Sequence, residues 1–493
     1  MALQEDERKD ELVKKVVKGL KAAKGGAQLA SFAQEFYARG AAEDVLLYSA
    51  EELGLIARSA YEYLTGHKPG RHQVRILNPD FDAKSAGDGP AFHTDTSIVE
   101  IVNDNMPFLV QSVLGEVRGA GLDVRLVLHP IFALKAAKKG KPTVVGADHD
   151  SDAKEVSRVS YIQIHVKRIR SQETRARLEE SLDSLLNEIR VAVEDWSQMR
   201  SEMSATIAGF RDTPPPVAAA ELAEAIQFLE WLDQDNFTFL GMREYAFSGG
   251  VKSGTLKRGD ATGLGMLRDP SVRVLRRGSE LVTVTPEVRE FLMRPEPLFI
   301  SKANVKSRIH RRVHMDYIGV KRFDAKGKLR GELRIIGLFT ATAYTRSTKT
   351  IPFVRQKVDR IMSRAAFDPE SHSGKALENV LESYPRDEFF QIDDDTLFDF
   401  SMAILQLNER PRVRVLPRRD RFDRFVSILV FVPREKFLTS VRVAIGDMLS
   451  TIYDGRVSAW YVTFLESNLV RVHFIIGRYH GQTPNPPRAE IEA

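Results

Sequence analysis

One order of hydrophobic patterns occurs twice along the chain, and it constrains the fold more than any other feature. Between Ser97 and Trp196, a strand pattern (SIVEIVN) is followed by a helix pattern, two more strand patterns and a long amphipathic helix. Residues 424–477 repeat the order strand, helix, strand, strand. Apolar periods of about two and about 3.6 residues in this order are typical of the ferredoxin-like fold. The sequence therefore predicts an α+β protein with two ferredoxin-like modules.

Neither module shows the complete βαββαβ plan. The last strand of the first module is not identifiable, and the second module runs into QTPNPPRAEIEA, where Pro487 precedes helix formers as at the start of another helix. Such an ending leaves one sheet edge and one apolar face uncovered. We therefore expect the natural polypeptide to continue beyond Ala493.

The segments outside the two modules are expected to form helices and one further sheet. Ser49 and Glu52 form a capping box among the helices of the N-terminal segment. The strand-rich middle of the chain, with one helix in front, favours a PAS-like antiparallel sheet, and sandwich folds remain alternatives. The predicted domains are an N-terminal helical segment (1–85), the first module (90–210), the PAS-like domain (217–350), a helical connector (351–410) and the second module (411–493), truncated at its C-terminal end.

Composition excludes several classes of protein. The chain has no cysteine, so it forms no disulfide, thiolate zinc site or cysteine nucleophile. Its longest strongly apolar run, Val426–Val432, is far shorter than the roughly 20 residues of a membrane-spanning helix. A net charge of +5 does not by itself indicate nucleic acid. We expect a cytoplasmic protein that contacts neither membrane nor nucleic acid.

Candidate catalytic and ligand-binding motifs in the sequence lack residues at the positions that such motifs require. Gly263 and Gly265 lack the third small residue of a dinucleotide loop. His310 and His314 have the spacing of a metal-binding pair, with Asp316 beyond, but strand-like surroundings would point the two rings unequally. We therefore expect no catalytic residue, no cofactor-binding residue and no metal site on this segment.

A polar loop follows the first strand of the first module. Asn103, Asp104 and Asn105 fill the loop, and Pro107 and Phe108 lead into a helix. The free N–H groups at a helix N-terminus can receive a carboxylate. The plainer interpretation is that Asn and Asp cap the helix. The sequence marks this segment as a candidate effector or interface loop.

Seven arginines lie within residues 410–424. The plainer interpretation is a strand with a solvated face, because Arg412 and Arg414 share one side at a period of two. The alternative is an anion site or a contact with an acidic neighbouring domain, formed by Arg412, Arg414, Arg418 and Arg419. A nucleic-acid surface is a third hypothesis, which predicts binding that weakens steeply with salt.

Long stretches between Ile101 and Phe437 carry a family resemblance. Among them are IVNDNMPFLVQSVLGEVRGAGLDVRLVLHPIF, FLEWLDQDNFTFLGMREY, MDYIGVKRFD and ERPRVRVLPRRDRFDRFVSILVFVPREKF. In this order they resemble the N-terminal region of the large bacterial NAD-specific glutamate dehydrogenases. The resemblance implies two ACT-type regulatory modules around a PAS-like unit, preceding a separate catalytic domain.

The resemblance also implies a reaction and partners for the whole enzyme. The family converts L-glutamate to 2-oxoglutarate and ammonium, with NAD as hydride acceptor in the catalytic part. The implied partners of this segment are that catalytic part, further copies in a homo-oligomer and an amino-acid effector. Effector-binding ACT loops have Gly after the Pro, where this chain has Phe108, so packing or oligomer contact gains weight there. A free-standing amino-acid sensor is the alternative function.

Overall fold

The computed structural model groups the chain into two compact units. It describes residues 2–22, 26–81, 92–93, 95–135, 142–147, 156–248, 255–258, 262–272, 274, 276–277, 280–281, 294–479 and 482–492. The first unit comprises Met1–Val193 with Arg308–Arg312, and the second comprises Glu194–Ser307 with Val313–Ala493. The domain boundary expected at residue 85 lies outside the described residues. No helix of the described part is both long and apolar enough to cross a membrane.

Four helices begin the first unit. They are α1 (Ala2–Lys21), α2 (Gly26–Ala38), α3 (Ala42–Val45) and α4 (Ala50–Leu64). The predicted capping box is confirmed, because the Ser49 hydroxyl accepts from the Glu52 N–H at 3.2 Å and Glu52 Oε2 accepts from the Ser49 N–H at 2.7 Å. Phe32, Phe36 and Leu53 are buried. Burial of such an apolar stripe stabilises short helices more than intrinsic propensity does.

An antiparallel sheet follows these helices. Its strands are β1 (Gln73–Leu77), β4 (Thr96–Asp104), β5 (Val124–Leu128), β6 (Ile131–Lys135), β7 (Thr143–Ala147) and β8 (Val156–Lys167), and β2 (Asp80–Phe81) pairs separately with β3 (Phe92–His93). The strand order is β1-β4-β8-β6-β7, and β5 also pairs with β8. Helix α5 (Leu109–Gly119) lies between β4 and β5, and α6 (Gln172–Glu194) follows β8.

The sheet edge beside β4 differs from the prediction. We expected residues 1–85 to be helical, but Gln73–Leu77 forms β1, which pairs with β4 and sets Arg75 opposite Glu100. A strand that precedes the βαββ pattern therefore covers the edge that lacks its last strand. Side chains of β4 alternate between the faces, and both faces are buried. On one face, aromatic residues of α2 pack against Phe132 and Tyr161.

The second unit begins with two helices and a sheet. Helices α7 (Trp196–Asp212) and α8 (Ala219–Trp231) precede β9 (Phe237–Ser248), β10 (Thr255–Arg258), β11 (Leu264–Gly265), β12 (Arg276–Arg277), β13 (Glu280–Leu281), β14 (Leu298–Lys306), β15 (His314–Phe323) and β16 (Leu329–Phe339). The main sheet is antiparallel with the order β10-β9-β16-β15-β14, and β11 also pairs with β9. If these five strands are numbered along the chain, their order in the sheet is second, first, fifth, fourth, third.

Five helices connect this sheet to the last one. They are α9 (Ala341–Thr345), α10 (Val354–Ala365), α11 (His372–Ser383), α12 (Arg386–Phe389) and α13 (Asp394–Glu409). The Asp393 carboxylate caps α13 by accepting from the Thr396 N–H at 2.9 Å. Apolar residues of these helices, including Leu377, Phe389 and Leu397, belong to the large core of the unit.

The last sheet has the order β17-β18-β20-β19. Its elements are β17 (Arg414–Arg419), β18 (Phe425–Pro433), α14 (Thr439–Ile452), β19 (Gly455–Phe464), β20 (Leu469–Arg478) and α15 (Arg488–Glu492). The expectation of an open edge beside β18 is wrong, because every residue of β17 pairs with β18. Pro417 suits an edge strand, where one row of N–H groups needs no partner. The helix start predicted after Pro487 is confirmed by α15.

Two cores lie on the two faces of this last sheet. Val426, Ile428 and Val430 of β18 pack in a core with Leu449 of α14. Leu429 and Phe431, on the opposite face, join the core that contains the connecting helices. The second face therefore meets the rest of the unit, and it carries the polar site described next.

Candidate functional site

The polar loop predicted in the first module is occupied by contacts within its own unit. Asp104 accepts from the Gly70 N–H at 2.9 Å and from Arg190 Nη1 at 3.1 Å, and its Oδ1 lies 3.3 Å from His67 Nε2. Asn103 Oδ1 accepts from Arg190 Nη2 at 2.8 Å. Neither side chain caps α5. In this structure Asp104 and Asn103 hold Arg190 of α6 against the end of β4.

The rest of the loop leads into α5 through an unusual backbone. Asn105 and Pro107 are exposed, and Phe108 has a φ of 72°, in the left-handed region that favours glycine. The Phe108 ring stacks on His310 of the same unit, with ring centroids 5.6 Å apart. The backbone at residue 108 therefore has the left-handed conformation that favours glycine, but the side chain there is an aromatic ring.

The arginine cluster separates into buried and exposed members. Arg418 is buried and donates to both carboxylate oxygens of Glu388, at 2.6 and 2.9 Å. Arg414 pairs with Glu492 at 3.2 Å, while Arg412 and Arg419 are exposed. Burial opposes ionisation of Glu388, but the Arg418 guanidinium outweighs it and lowers the pKa of Glu388 to about 2. The structure thus places Arg418 in a contact between β17 and α12.

A cavity of about 560 Å³ lies beside this ion pair, within the second unit. Its walls come from β14 and β15, from α12 with the turn after it, and from β18, β19 and β20. Polar residues around it include Lys302, His314, Asp387, Gln391, Arg456 and His473. Ligand sites are commonly concave spaces of this size with a few convergent polar groups. This cavity is the candidate functional site.

One end of the cavity holds a lysine between two carboxylates. Lys302 Nζ lies 2.6 Å from Asp316 Oδ1 and 3.1 Å from Asp387 Oδ1. Burial works against the charged form of Lys302, yet the two carboxylates outweigh it and raise its pKa well above the usual value. Burial also raises the pKa of Asp316, and Asp387 adds to that effect although Lys302 opposes it. Two acids share one ammonium at this end.

Two histidines on the cavity wall are held by hydroxyl groups. His314 lies 3.1 Å from the Ala303 carbonyl through Nδ1 and 2.8 Å from Ser458 Oγ through Nε2. Burial lowers the pKa of His314 to about 4, so the ring is neutral at pH 7. His473 Nε2 lies 2.7 Å from Ser427 Oγ. No group of three metal-ligating side chains that could hold an ion occurs in the described part of the chain.

The sequence-based search missed this cavity. Lys302 and Asp316 sit inside apolar strand patterns (PLFISKA and MDYIGV), and an inward-facing charge in such a strand is the signal that could have found them. Asp387 and Gln391 lie far away in sequence, in the stretch SYPRDEFFQI, which carries the family resemblance but no ligand-binding pattern. Their convergence depends on how the sheets and helices pack.

Comparison with known proteins gives a consistent assignment along the chain. Three glutamate dehydrogenase family models match it: the ACT1 domain over residues 32–182, helical motif 1 over residues 351–410 and the ACT2 domain over residues 414–493. The ACT2 match starts at β17, so it includes the extra edge strand.

Curated relatives named NAD-specific glutamate dehydrogenase match most of the chain. The relative from Halomonas elongata is 34% identical over 93% of this chain and 28% of its own length. The relative from Pseudomonas aeruginosa is 30% identical over 91% of this chain and 27% of its own length. A third, from Mycobacterium tuberculosis, is 23% identical over 83% of this chain and 24% of its own length. The chain therefore spans about a quarter of the length of these relatives.

Proposed function

The chain belongs to the NAD-specific glutamate dehydrogenase family, and we propose that it is the N-terminal regulatory and assembly region of such an enzyme, without turnover of its own. The observation that carries the proposal is the order of matches, ACT1, helical motif 1 and ACT2, along one chain. The proposed reaction of the whole enzyme is oxidation of L-glutamate with NAD and water to 2-oxoglutarate, ammonium and NADH.

The mass of the native polypeptide tests this proposal. An antibody against this segment should detect a cytoplasmic band several-fold heavier than 55.5 kDa in a cell extract. A band at the mass of the segment would overturn the proposal in favour of a free-standing amino-acid sensor. The purified segment, mixed with glutamate and NAD, should form no NADH, and steady turnover would contradict its regulatory role.

NAD is proposed to bind the catalytic part and not this segment. Every strand pair of the described residues is antiparallel. The dinucleotide-binding fold needs a parallel sheet with a glycine-rich turn before a helix. Calorimetry of the segment with NAD should therefore give no binding heat, and saturable binding would contradict this assignment.

The middle sheet is proposed to be PAS-like. Its antiparallel strand order, second, first, fifth, fourth, third, supports this class, as does helix α8, which lies in the predicted domain before its first strand. An experimental structure of the segment would test the assignment by its strand order.

Assembly is proposed to use the outer face of the ACT2 domain. Leu438, Trp460 and Phe464 are 62%, 46% and 59% exposed, and β19 is an edge strand. Exposed apolar side chains on one edge are typical of interaction surfaces. Light scattering of the segment should give the mass of an oligomer, and Phe464→Lys should lower it. Leu47→Lys, at a comparably exposed residue of the first unit, is the control that should leave the mass unchanged.

A further inference from the structure

One lysine and two carboxylates form a cluster beside the cavity, where β14, β15 and α12 meet. Lys302 contacts Asp316 and Asp387, so one ammonium faces two carboxylates. The Tyr344 hydroxyl also donates to Asp387, at 2.7 Å. A second cationic group near Asp387 would reduce the repulsion between the two acids. This end of the cavity suits a ligand ammonium.

A buried acceptor at the same end lacks a donor. Gln391 is 7% exposed, and its side-chain N–H donates to the Asp387 carbonyl at 2.8 Å. Its Oε1 atom is buried and has no hydrogen-bond partner within the described residues. Buried amide oxygens in native proteins are nearly always paired, so an unpaired one that lines a cavity points to a missing donor. A ligand N–H group would supply it.

The part of the cavity wall formed by β19 carries an available positive charge. Arg456 on β19 is exposed, lies over the Tyr479 ring at 5.8 Å and forms no ion pair with any described carboxylate. Arg424, by contrast, is held by Asp420 at 2.7 Å. Arginine binds carboxylates through paired N–H groups. Arg456 is therefore placed to receive a ligand carboxylate.

We propose that this cavity binds a small zwitterion of the α-amino-acid class, with its ammonium toward Asp387 and Gln391 and its carboxylate toward Arg456. Ile475, Phe425 and Val305 provide apolar wall for the ligand side chain. The volume of about 560 Å³ holds a molecule of this size. The inference rests on the proposed regulatory function for its biological meaning, and it assigns the effector to this cavity instead of the loop at residues 103–108.

Calorimetric titration of the whole 493-residue chain with each standard L-amino acid tests the ligand class. At least one amino acid should bind with saturable heat. The primary amine and the carboxylic acid that share its side chain each lack one charge, so each should bind roughly tenfold more weakly or worse. Absence of heat with every amino acid would overturn the proposal, as would an affinity for either analogue equal to that for the amino acid itself.

Variants locate the site. Arg456→Gln, at an exposed position that folding does not require, should weaken binding about tenfold. Gln391→Leu should also weaken it, and Arg456→Lys should recover part of the loss. The matched control is Arg442→Gln, because Arg442 lies over Trp460 at 3.8 Å on the other face of the same sheet. Its affinity should equal that of the unchanged chain.

Variants of the loop at residues 103–108 test the competing location of the effector site. If Asp104→Ala and Asn105→Ala abolish binding while Arg456→Gln and Gln391→Leu leave it intact, the effector site is the loop and the cavity proposal is wrong. Binding is a property of this chain and is measured without the catalytic part. A cavity that binds amino acids on a polypeptide of native mass 55.5 kDa would contradict the proposed function and leave the site standing.

Discussion

The two ACT domains share one sheet plan but differ in what covers the face that meets the rest of their unit. In both domains a strand that precedes the βαββ pattern pairs with the first strand, β1 with β4 and β17 with β18. In ACT1 the aromatic side chains of α2 pack directly on this face. In ACT2 the helical motif covers part of the face and leaves a polar cavity of about 560 Å³.

Because the sheet plan is the same in both domains, the covering segments account for the difference between a packed face and one beside a cavity. Both faces carry an ion pair between an edge-strand arginine and a buried glutamate. In ACT1, Glu100 comes from the sheet itself and pairs with Arg75 at 2.5 Å. In ACT2, Glu388 comes from α12 and pairs with Arg418 at 2.6 Å. The same chemistry therefore stabilises one domain internally and joins the other to the helical motif.

The largest expected effect comes from removing these glutamates. Glu388→Ala should lower the free energy of unfolding by about 3–5 kcal/mol, because it leaves the buried Arg418 charge unpaired. Glu100→Ala should cost a similar amount for a different reason. Arg75 is 28% exposed and can reach water, but the buried Tyr161 hydroxyl and Gln163 amide also lose their acceptor. Hydrogen exchange of peptides from β18 and from β4 measures both values.

A rescue experiment separates the charge from the packing. Arg418→Met combined with Glu388→Leu replaces the buried pair with apolar groups and should recover most of the loss. If the double variant is as unstable as Glu388→Ala, lost packing and not the unpaired Arg418 charge explains the cost.

Acid should act on His165 of ACT1 and on Glu388 of the helical motif in different pH ranges. Burial lowers the pKa of His165 in ACT1 to about 3. The unfolded chain takes up this proton near pH 6.5, so stability is complete above pH 6.5, falls as the pH decreases toward 3, and is about 2 kcal/mol lower at pH 5. Glu388 has a pKa of about 2, so its contribution is complete above about pH 4.5 and is lost as the pH falls from there toward 2.

Two variants check these ranges. His165→Asn should flatten the loss of protection in β8 between pH 6.5 and 5. Glu388→Gln should leave that range unchanged and reduce the loss below pH 4.5. Protection in β8 that stays constant between pH 7 and 5 would contradict the neutral, buried His165.

Alternation of apolar and polar residues predicted strands that lie inside the sheets, including β4, β8, β18 and β20, because this pattern depends only on neighbouring residues. The pairing of the extra edge strands β1 and β17 was beyond this reasoning. The arginine-rich segment was predicted to form a strand with a solvated face, but its sequence does not show that Arg418 is buried. Arg418 points inward because Glu388, 30 residues earlier, receives it.

The candidate sites show the same limit. The residue types at Asn103 and Asp104 predicted a ligand loop or a helix cap, but Arg190 of α6 takes both side chains. Lys302, Asp387 and Arg456 have no short-range signal in common, and only tertiary packing brings them to one cavity. Local sequence therefore identifies polar groups, and long-range partners decide which of them are free to bind.

A smaller effect distinguishes a packed face from one beside a cavity. Tyr48 places its hydroxyl 2.7 Å from His165 Nδ1, and Ser458 places its hydroxyl 2.8 Å from His314 Nε2. Tyr48→Phe leaves a fully buried ring nitrogen unpaired and should cost about 1–2 kcal/mol. Ser458→Ala should cost only about 0.5 kcal/mol, because water in the cavity can replace the hydroxyl. Chemical denaturation of the two variants measures the difference, and equal costs would mean that the two environments are equally dry.

The smallest expected effect concerns the residue before the helix of the βαββ pattern in each domain. Phe108 precedes α5 with a φ of 72°, whereas Leu438 precedes α14 with a φ of −126°. Each position should be changed to Gly and, separately, to Ala. The N-cap preference for Gly and the flexibility of Gly in the unfolded chain contribute equally at both sites, so they cancel when the two Gly–Ala differences in stability are compared. The remaining difference is the cost of a left-handed backbone for Ala. The free energy of unfolding of the Gly variant should therefore exceed that of the Ala variant by about 1 kcal/mol more at residue 108 than at residue 438. Equal differences at both positions would mean that the strained backbone of the ACT1 loop adds nothing to the contrast between the domains.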